Sequence, residues 1–357
     1  MTSLAPPRPR LPSGWTVAAL LVVAVVGLPI LTVLSALLRP SDGVWAHLWA
    51  TVLPGYLANT LILVGGVVVL TILIGVATGW LVAACEFPGR RVFEWALMLP
   101  LAMPGYVIAH VYLELLSYAG PVQSGLRAAF GWGRGDYWFP QIASVGGATV
   151  LLAFVLYPYV YLLARAAFLR QSLHLVEAAR SLGTGPWGAF GRIALPMAWP
   201  AIAAGAAFAA METLADYGTV THLGVPTLTS GIFRTWFGRG APVAAAQLAA
   251  LLLAFVAVAF VLERGLRGNR RFAGDPGGRA GTLPRAPLAA PAAALAILAC
   301  AVPVTAGFLI PAGALARQAW LVGDPMWGPR FAAFALNSLR LAGAAALILV
   351  ALSLVLA

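Results

Sequence analysis

The sequence predicts an all-α protein, a polytopic bundle of about eight transmembrane helices. Of its 357 residues, 61% are hydrophobic and only 9% are charged. Several apolar runs reach about 20 residues, the length of helix that crosses a hydrocarbon core of about 30 Å. Such runs predict helices because hydrocarbon offers backbone groups no partner outside the segment. The predicted spans are 15–38, 57–84, 93–117, 141–165, 197–217, 243–263, 288–316 and 335–357.

The basic residues indicate how the chain crosses the membrane. All 22 are arginine, and they fall in the connections between apolar spans. Despite the net charge of +11, this placement argues against a nucleic-acid partner. With the amino terminus in the cytoplasm, 14 arginines lie inside and eight outside. The positive-inside rule favours this orientation of a multi-pass protein in the lipid bilayer.

The chain divides into four predicted segments. Residues 264–287 combine six arginines with glycine and proline, which is typical of a linker on the cytoplasmic side. LANTLILVGG at 57–66 is matched by ALNSLRLAGA at 335–344, so a second, parallel copy is expected to begin after the linker. The segments are a tail, first helix and outer loop at 1–56, a membrane module at 57–263, the linker at 264–287, and the start of a second module, expected to be truncated, at 288–357.

The most informative connection is 172–196, which contains EAARSLGTGPWGAFGRIALP between Glu177 and Pro196. Its first part predicts a short helix with one apolar stripe. The Gly183-Thr184-Gly185 sequence allows a sharp turn, and Pro186 suits the first position of a second short helix. Two short helices joined at glycines form a shape on which a partner can dock. The alternative interpretation is an amphipathic helix lying on the inner leaflet.

The spacing in this connection resembles that of the binding-protein-dependent ABC importer permeases. Their cytoplasmic motif is EAA, three residues, G, nine residues, I, one residue and LP. It is met by Glu177, Ala178, Ala179, Gly183, Ile193, Leu195 and Pro196. The resemblance implies a type I ABC importer permease fold. It also implies that this coupling loop inserts into a cleft of a separate ATPase dimer on the cytoplasmic side.

Longer stretches at 98–127 and 211–238 look like the ferric iron importers, which have two fused permease modules. The resemblance implies a bacterial inner-membrane subunit, not an enzyme, that moves iron by alternating access. Iron would arrive on a periplasmic binding protein, and ATP and Mg would be bound by the partner ATPase, with no cofactor on this chain. Alternatives are another cargo, such as thiamine, sulfate or a polyamine, an ion-coupled secondary transporter, or an intramembrane enzyme.

Acidic residues in the fifth span suggest a translocation path. Glu212 and Asp216 lie four apart and so share a helix face, next to Tyr217. Carboxylates in hydrocarbon are costly unless they face water, a partner charge or a cation. A cation pathway is one interpretation. In the other, Asp216 lies at the outer interface and Glu212 makes a structural hydrogen bond.

Other polar residues receive structural interpretations. His110 and Glu114 are four apart and are expected to meet across one helical turn. No HxxxH or HExxH pattern occurs, so no metal site is predicted. Tyr157, Tyr159 and Tyr161 are interpreted as part of the aromatic belt at the lipid headgroups.

Overall fold

A computed structural model of the chain describes residues 14–41, 43–170, 188, 190–267, 285–322 and 328–356. In these residues the helices are α1 Gly14–Ser35, α2 Val44–Thr51, α3 Leu53–Ala84, α4 Arg90–Ala96, α5 Gly105–Leu116, α6 Pro121–Phe130, α7 Val145–Arg170, α8 Leu195–Ala215, α9 Gly218–His222, α10 Leu228–Phe233, α11 Pro242–Arg267, α12 Ala290–Val304, α13 Ile310–Val322 and α14 Pro329–Leu356. Strands β1 Cys85–Glu86 and β2 Ala286–Pro287 pair in parallel. Short 3₁₀ or π-helical turns are Ala36–Leu38, Leu99–Ala102, Phe190–Ala194, Arg234–Gly238 and Thr305–Leu309.

Seven helical segments of the described chain are long and apolar enough to cross a membrane. They are Gly14–Leu38, Leu53–Ala84, Val145–Arg170, Phe190–Ala215, Pro242–Gly265, Ala290–Leu321 and Arg330–Leu354. Each overlaps one predicted span. The predicted all-α transmembrane bundle is therefore confirmed.

The third predicted span, 93–117, is broken. Arg90–Ala102 and Gly105–Phe130 meet at an angle of 91°. Between them, Met103 and Pro104 have extended backbone, with ψ angles of 114° and 137°. Proline lacks the N–H that a helix needs and disfavours helical backbone at the residue before it, so the break falls at this pair. The expectation of one continuous helix was wrong here.

Helices α3, α7 and α8 pack closely through glycine. A Cβ atom at Gly75 of α3 would lie 2.7 Å from Val160 Cβ of α7, and one at Gly205 of α8 would lie 2.7 Å from Val160 Cα. Gly66 faces Thr149 and Gly79 faces Arg165, so α3 and α7 run parallel. Small residues let helix backbones approach in this way inside membranes.

A cluster of ion pairs lies at one end of these helices. We call this end of the bundle the arginine end, after Arg90 and Arg165. The Arg90 side chain is 6% exposed, and its Nε lies 3.2 Å from Glu86 Oε2. Its Nη1 lies 3.4 Å from Glu94 Oε2, and Arg165 pairs with the other oxygen of Glu94. The Tyr161 hydroxyl donates to the Glu94 carbonyl over 2.9 Å. Buried charges are tolerated because they are paired.

The tyrosines of α7 do not form a headgroup belt. Tyr157 and Tyr161 are both 0% exposed and pack against α12, with Cys300 in the same apolar cluster. The aromatic-belt interpretation was therefore wrong for these two residues. Hydropathy could not show this burial, because it depends on a helix that lies more than 120 residues further along the chain.

Packing divides the chain into two units, Met1–Pro40 with Gln318–Ala357, and Ser41–Arg317. In the first unit α1 contacts α14, and no residue of α1 is buried. In the second unit α12 packs against α3 and α4. The four predicted sequence segments stay a prediction, because these units describe packing and not the limits of a repeat.

Candidate functional site

A cavity of about 330 Å³ lies where the broken span meets α7 and α8. The corner residues Met103, Pro104 and Gly105 line one side. Opposite them lie Tyr159 of α7 and the end of α8 with the residues that follow it. The cavity therefore depends on the proline break, which turns the chain aside at this depth.

The predicted path residues Glu212, Asp216 and Tyr217 all line this cavity. Because α8 ends at Ala215, Asp216 and Tyr217 lie just beyond the helix that carries Glu212. The Glu212 side chain is exposed and that of Asp216 is half-buried. The structure thus brings the three together, and their role in transport stays a prediction.

Asp216 is fixed by the start of α9. Its Oδ2 accepts a hydrogen bond from Thr219 Oγ1 over 2.8 Å, and its Oδ1 accepts one from Val220 N over 3.1 Å. Burial raises the pKa of the Asp216 carboxyl above its ordinary value, although these hydrogen bonds act in the opposite direction. The carboxyl group is therefore positioned and partly desolvated.

Gly105 lets the broken span approach Asp216. A Cβ atom at this position would lie 2.5 Å from Thr219 Oγ1 and 3.2 Å from Asp216 Oδ2. Any larger residue would therefore push α5 away from α9. Gly105 and Tyr159 were not predicted as cavity residues, because no spacing within one helix could indicate them.

Aromatic rings flank the acidic residues. Tyr217 stacks on Phe233 with ring centroids 3.9 Å apart, and Tyr159 stacks on Phe208 at 6.0 Å. No arginine or histidine is among the described residues that line the cavity. Its polar side chains offer carboxylate and hydroxyl oxygens, which are the ligands that hard cations prefer.

The predicted coupling loop is described only at its end. Glu177, Ala178, Ala179 and Gly183 lie outside the described residues. Ile193 belongs to the π-helical turn Phe190–Ala194, and Leu195 and Pro196 begin α8.

That end is anchored on the bundle by aromatic packing. Phe190 lies against Trp80 of α3 and Phe168 of α7, with ring centroids 4.8 and 6.2 Å apart. Trp80 and Phe168 also meet edge to face at 5.3 Å. Movement of the turn Phe190–Ala194 would therefore be transmitted to α3 and α7, and to α8, which begins directly after it.

The membrane-spanning helices, the broken span and the polar cavity beside it place the chain in the class of multi-span membrane proteins with an internal polar cavity. Residues 72–267, more than half of the chain, match the family described as the binding-protein-dependent transport system inner membrane component. The chain belongs to this family, whose members are ABC importer permeases and not enzymes.

Known relatives differ in cargo. The molybdenum transport system permease protein ModB of Escherichia coli K12 is 28% identical over 207 residues, which cover 56% of this chain and 87% of ModB. The Fe(3+)-transport system permease protein FbpB 2 of Haemophilus influenzae is 27% identical over 267 residues, which cover 73% of this chain and 48% of FbpB 2. Among solved structures, a bacterial ABC transporter that imports alginate matches with a TM-score of 0.55 and 16% identity, over 71% of this chain and 96% of that one. This last likeness shows the fold alone.

Proposed function

We propose that this permease imports ferric iron, which a periplasmic binding protein delivers, by alternating access. ATP and Mg are bound and ATP is hydrolysed by a separate ATPase dimer on the cytoplasmic side, and this chain binds no cofactor. The family description names a binding protein and an inner membrane. The amino terminus lies in the cytoplasm, as the positive-inside rule favours.

The observation that carries the cargo proposal is the cavity at the break. Glu212 and Asp216 supply negative charge there, and Tyr159 and Tyr217 supply hydroxyl groups. Ferric iron is a hard cation and prefers such oxygen ligands. The Fe(3+)-transport relative, which is similar over 73% of this chain, supports the same cargo.

The molybdenum relative and a similar sulfate transport permease favour a second candidate, an oxyanion such as molybdate or sulfate. An oxyanion in the cavity would meet two carboxylates of its own charge sign with no arginine or histidine to balance them among the described lining residues. Like charges repel, so these carboxylates would disfavour an oxyanion in the cavity. The cavity therefore favours the cation.

The proposed energy input reaches the helices through the coupling loop. Closure of the ATPase dimer moves residues 172–196, whose anchored end at Phe190 transmits the movement to α3 and α7. Glu177 supplies a charge that the ATPase surface pairs, and the adjacent alanines permit close contact.

Reconstitution in proteoliposomes with the ATPase and binding protein tests this function. ATP-dependent uptake of ferric iron is expected for the natural chain and is lost in Glu177→Arg, because reversal of the charge prevents docking. Glu177→Asp, which keeps the charge, is the matched control and retains most uptake. Unchanged uptake in Glu177→Arg, or uptake driven by an ion gradient without ATP, would favour a secondary transporter. Uptake of molybdate in place of iron would reject the cargo.

A further inference from the structure

A second cavity, of about 360 Å³, lies at the end of α5 that is further from the cavity of Glu212. The end of α5, one side chain of α6 and the segment that leads into α7 form its walls. Because α7 runs from here to the arginine end, this cavity lies at the opposite end of the bundle. We call it the α6 pocket, and its polar lining residues are Ser117, Tyr118, Gln123, Arg134, Tyr137 and Gln141.

The wall of the α6 pocket carries two positive charges close together. The guanidinium carbons of Arg127 and Arg134 lie 4.1 and 5.7 Å from the centroid of the Tyr118 ring. The ion pairs of the described residues include neither arginine. Asp136, close to both in sequence, accepts a hydrogen bond from Gly133 N over 2.6 Å. Contact with an aromatic ring offsets only part of the repulsion between two cations, so an anion in the pocket would be attracted.

Hydrogen bonds hold one of these arginines in place. Arg127 Nη1 donates to the Tyr137 hydroxyl over 2.9 Å, and its Nη2 donates to Ser124 Oγ over 3.2 Å. The Tyr137 hydroxyl donates in turn to Gln123 Oε1 over 2.7 Å. Gln123 is buried, and its Nε2 donates to the Leu116 carbonyl over 2.8 Å. The wall is therefore ordered before a ligand arrives, which lowers the cost of binding.

The other arginine is placed to contact a ligand directly. Arg134 is exposed and lines the pocket, and no Asp or Glu is among the described residues that line it. A guanidinium group presents its N–H donors in a planar fork that matches the two oxygens of a carboxylate. Such a group is costly to expose to lipid, so the pocket is expected to face water.

Apolar side chains in the same pocket indicate what kind of anion fits. Leu113, Leu116, Phe139 and Ile142 also line it. They can pack against a carbon skeleton, whereas a hydrated inorganic oxyanion gains little from such contacts. We propose that the α6 pocket binds a small organic anion with two or more carboxylate groups. Arg134 binds one carboxylate, and the charge of Arg127 behind the Tyr118 ring adds to the attraction.

Calorimetric titration of the purified full chain in detergent with citrate, at constant ionic strength, tests the site. Citrate supplies three carboxylates on a short carbon skeleton, and saturable binding of one ion per chain is expected. Arg134→Gln removes the exposed cation without disturbing the buried groups. Hydrogen bonds between charged groups are among the strong ones, so this variant is expected to bind citrate about tenfold more weakly or worse.

Arg91→Gln is the matched control, because it removes the same charge from an exposed position at the arginine end. This variant should bind citrate like the natural chain. Thermal unfolding provides a second measurement, with sulfate at the same ionic strength as the reference, since anions of this kind also stabilise folded proteins by exclusion from the surface. Citrate should raise the melting temperature of the natural chain and Arg91→Gln above the value in sulfate, but not that of Arg134→Gln.

No saturable citrate binding by the natural chain would overturn the proposal, as would equal binding by Arg134→Gln. Sulfate that binds as tightly as citrate would reject an organic ligand, because the apolar walls would then contribute nothing. Citrate binding is measured without ATPase, binding protein or iron. Failure of iron uptake with intact citrate binding would therefore reject the proposed transport function and leave the α6 pocket standing.

Discussion

At the cavity, single residues hold the Asp216 carboxylate in place. Its carboxylate accepts hydrogen bonds from Thr219 and Val220, which fix it at the start of α9. Gly105 comes close to the same groups because it has no side chain. Burial raises the pKa of Asp216, so this carboxyl takes up a proton at a higher pH than an exposed aspartate does.

Removal of both cavity charges should lower ferric iron uptake. A carboxylate about 4 Å from a cation contributes about 4 kcal/mol at an effective dielectric constant of about 20. Loss of one third of that attraction, about 1.4 kcal/mol, reduces the occupancy of the cavity by the cation about tenfold. Glu212→Gln combined with Asp216→Asn is therefore expected to lower initial uptake, measured at low iron concentration in proteoliposomes, by about tenfold or more.

Asp136→Asn is the control for this experiment. Asp136 is exposed and accepts a hydrogen bond from Gly133 N outside the cavity, so the loss of its charge should leave uptake unchanged. Normal iron uptake by the cavity double variant would show that these carboxylates are structural, which is the alternative that the sequence left open.

The four-residue spacing predicted part of this site, although Asp216 lies just beyond α8 and does not share a helix face with Glu212. Glu212 and Asp216 are four residues apart, and the structure places both at one cavity. Gly105 and Tyr159 could not be predicted, because they reach the cavity only through the break at Pro104 and the packing of α7. The ring contact of His110 with His222 was missed for the same reason, since the two are 112 residues apart in the sequence.

At the scale of whole elements, the contact of α3 with α7 depends on the absence of side chains. A Cβ atom at Gly75 would meet Val160 Cβ at 2.7 Å and Tyr161 N at 2.8 Å. The second of these atoms belongs to the backbone and cannot move alone. A larger residue at Gly75 must therefore push one helix away from the other.

Gly75→Ala is expected to destabilise the bundle by about 1–3 kcal/mol, the usual cost of overpacking. Thermal unfolding in detergent measures the effect. Gly65→Ala is the matched control on the same helix, because no atom lies within 4 Å of its added Cβ. Alanine is the better helix former, so this control should be neutral or slightly stabilising. Equal melting temperatures for the two variants would contradict the close packing described here.

The helices themselves were predictable because each needs about 20 apolar residues, and hydropathy reports that length directly. The break in the third span was not, because the residues on both sides of Pro100 and Pro104 are apolar and hydropathy shows no interruption there. The burial of Tyr157 and Tyr161 was also missed, because α12 covers them from far along the sequence.

At the scale of the whole molecule, packing joins segments that are distant in sequence. The short strands Cys85–Glu86 and Ala286–Pro287 pair in parallel, and Leu288 N donates to Glu86 O over 3.1 Å. Arg285 Nε lies 4.0 Å from Glu86 Oε2. The chain therefore returns to the arginine end of the bundle before it enters α12.

The orientation of this bundle in the membrane decides whether the coupling loop can meet an ATPase, and cysteine labelling tests it. Arg91→Cys lies at the arginine end and Ala129→Cys lies on α6, both at exposed positions. A membrane-impermeant maleimide applied to spheroplasts should label Ala129→Cys at once, and Arg91→Cys only after permeabilisation.

The natural cysteines should give little background in this experiment. Cys85 and Cys300 are 8% and 0% exposed, and burial raises the pKa of the Cys85 thiol, which lowers the fraction of reactive thiolate. The unsubstituted chain is the control for residual labelling.

Labelling of Arg91→Cys in intact spheroplasts, with Ala129→Cys protected, would place the arginine end outside. Residues 172–196 would then face away from any cytoplasmic ATPase, and the proposed coupling would fail because its two partners lie on opposite sides of the membrane.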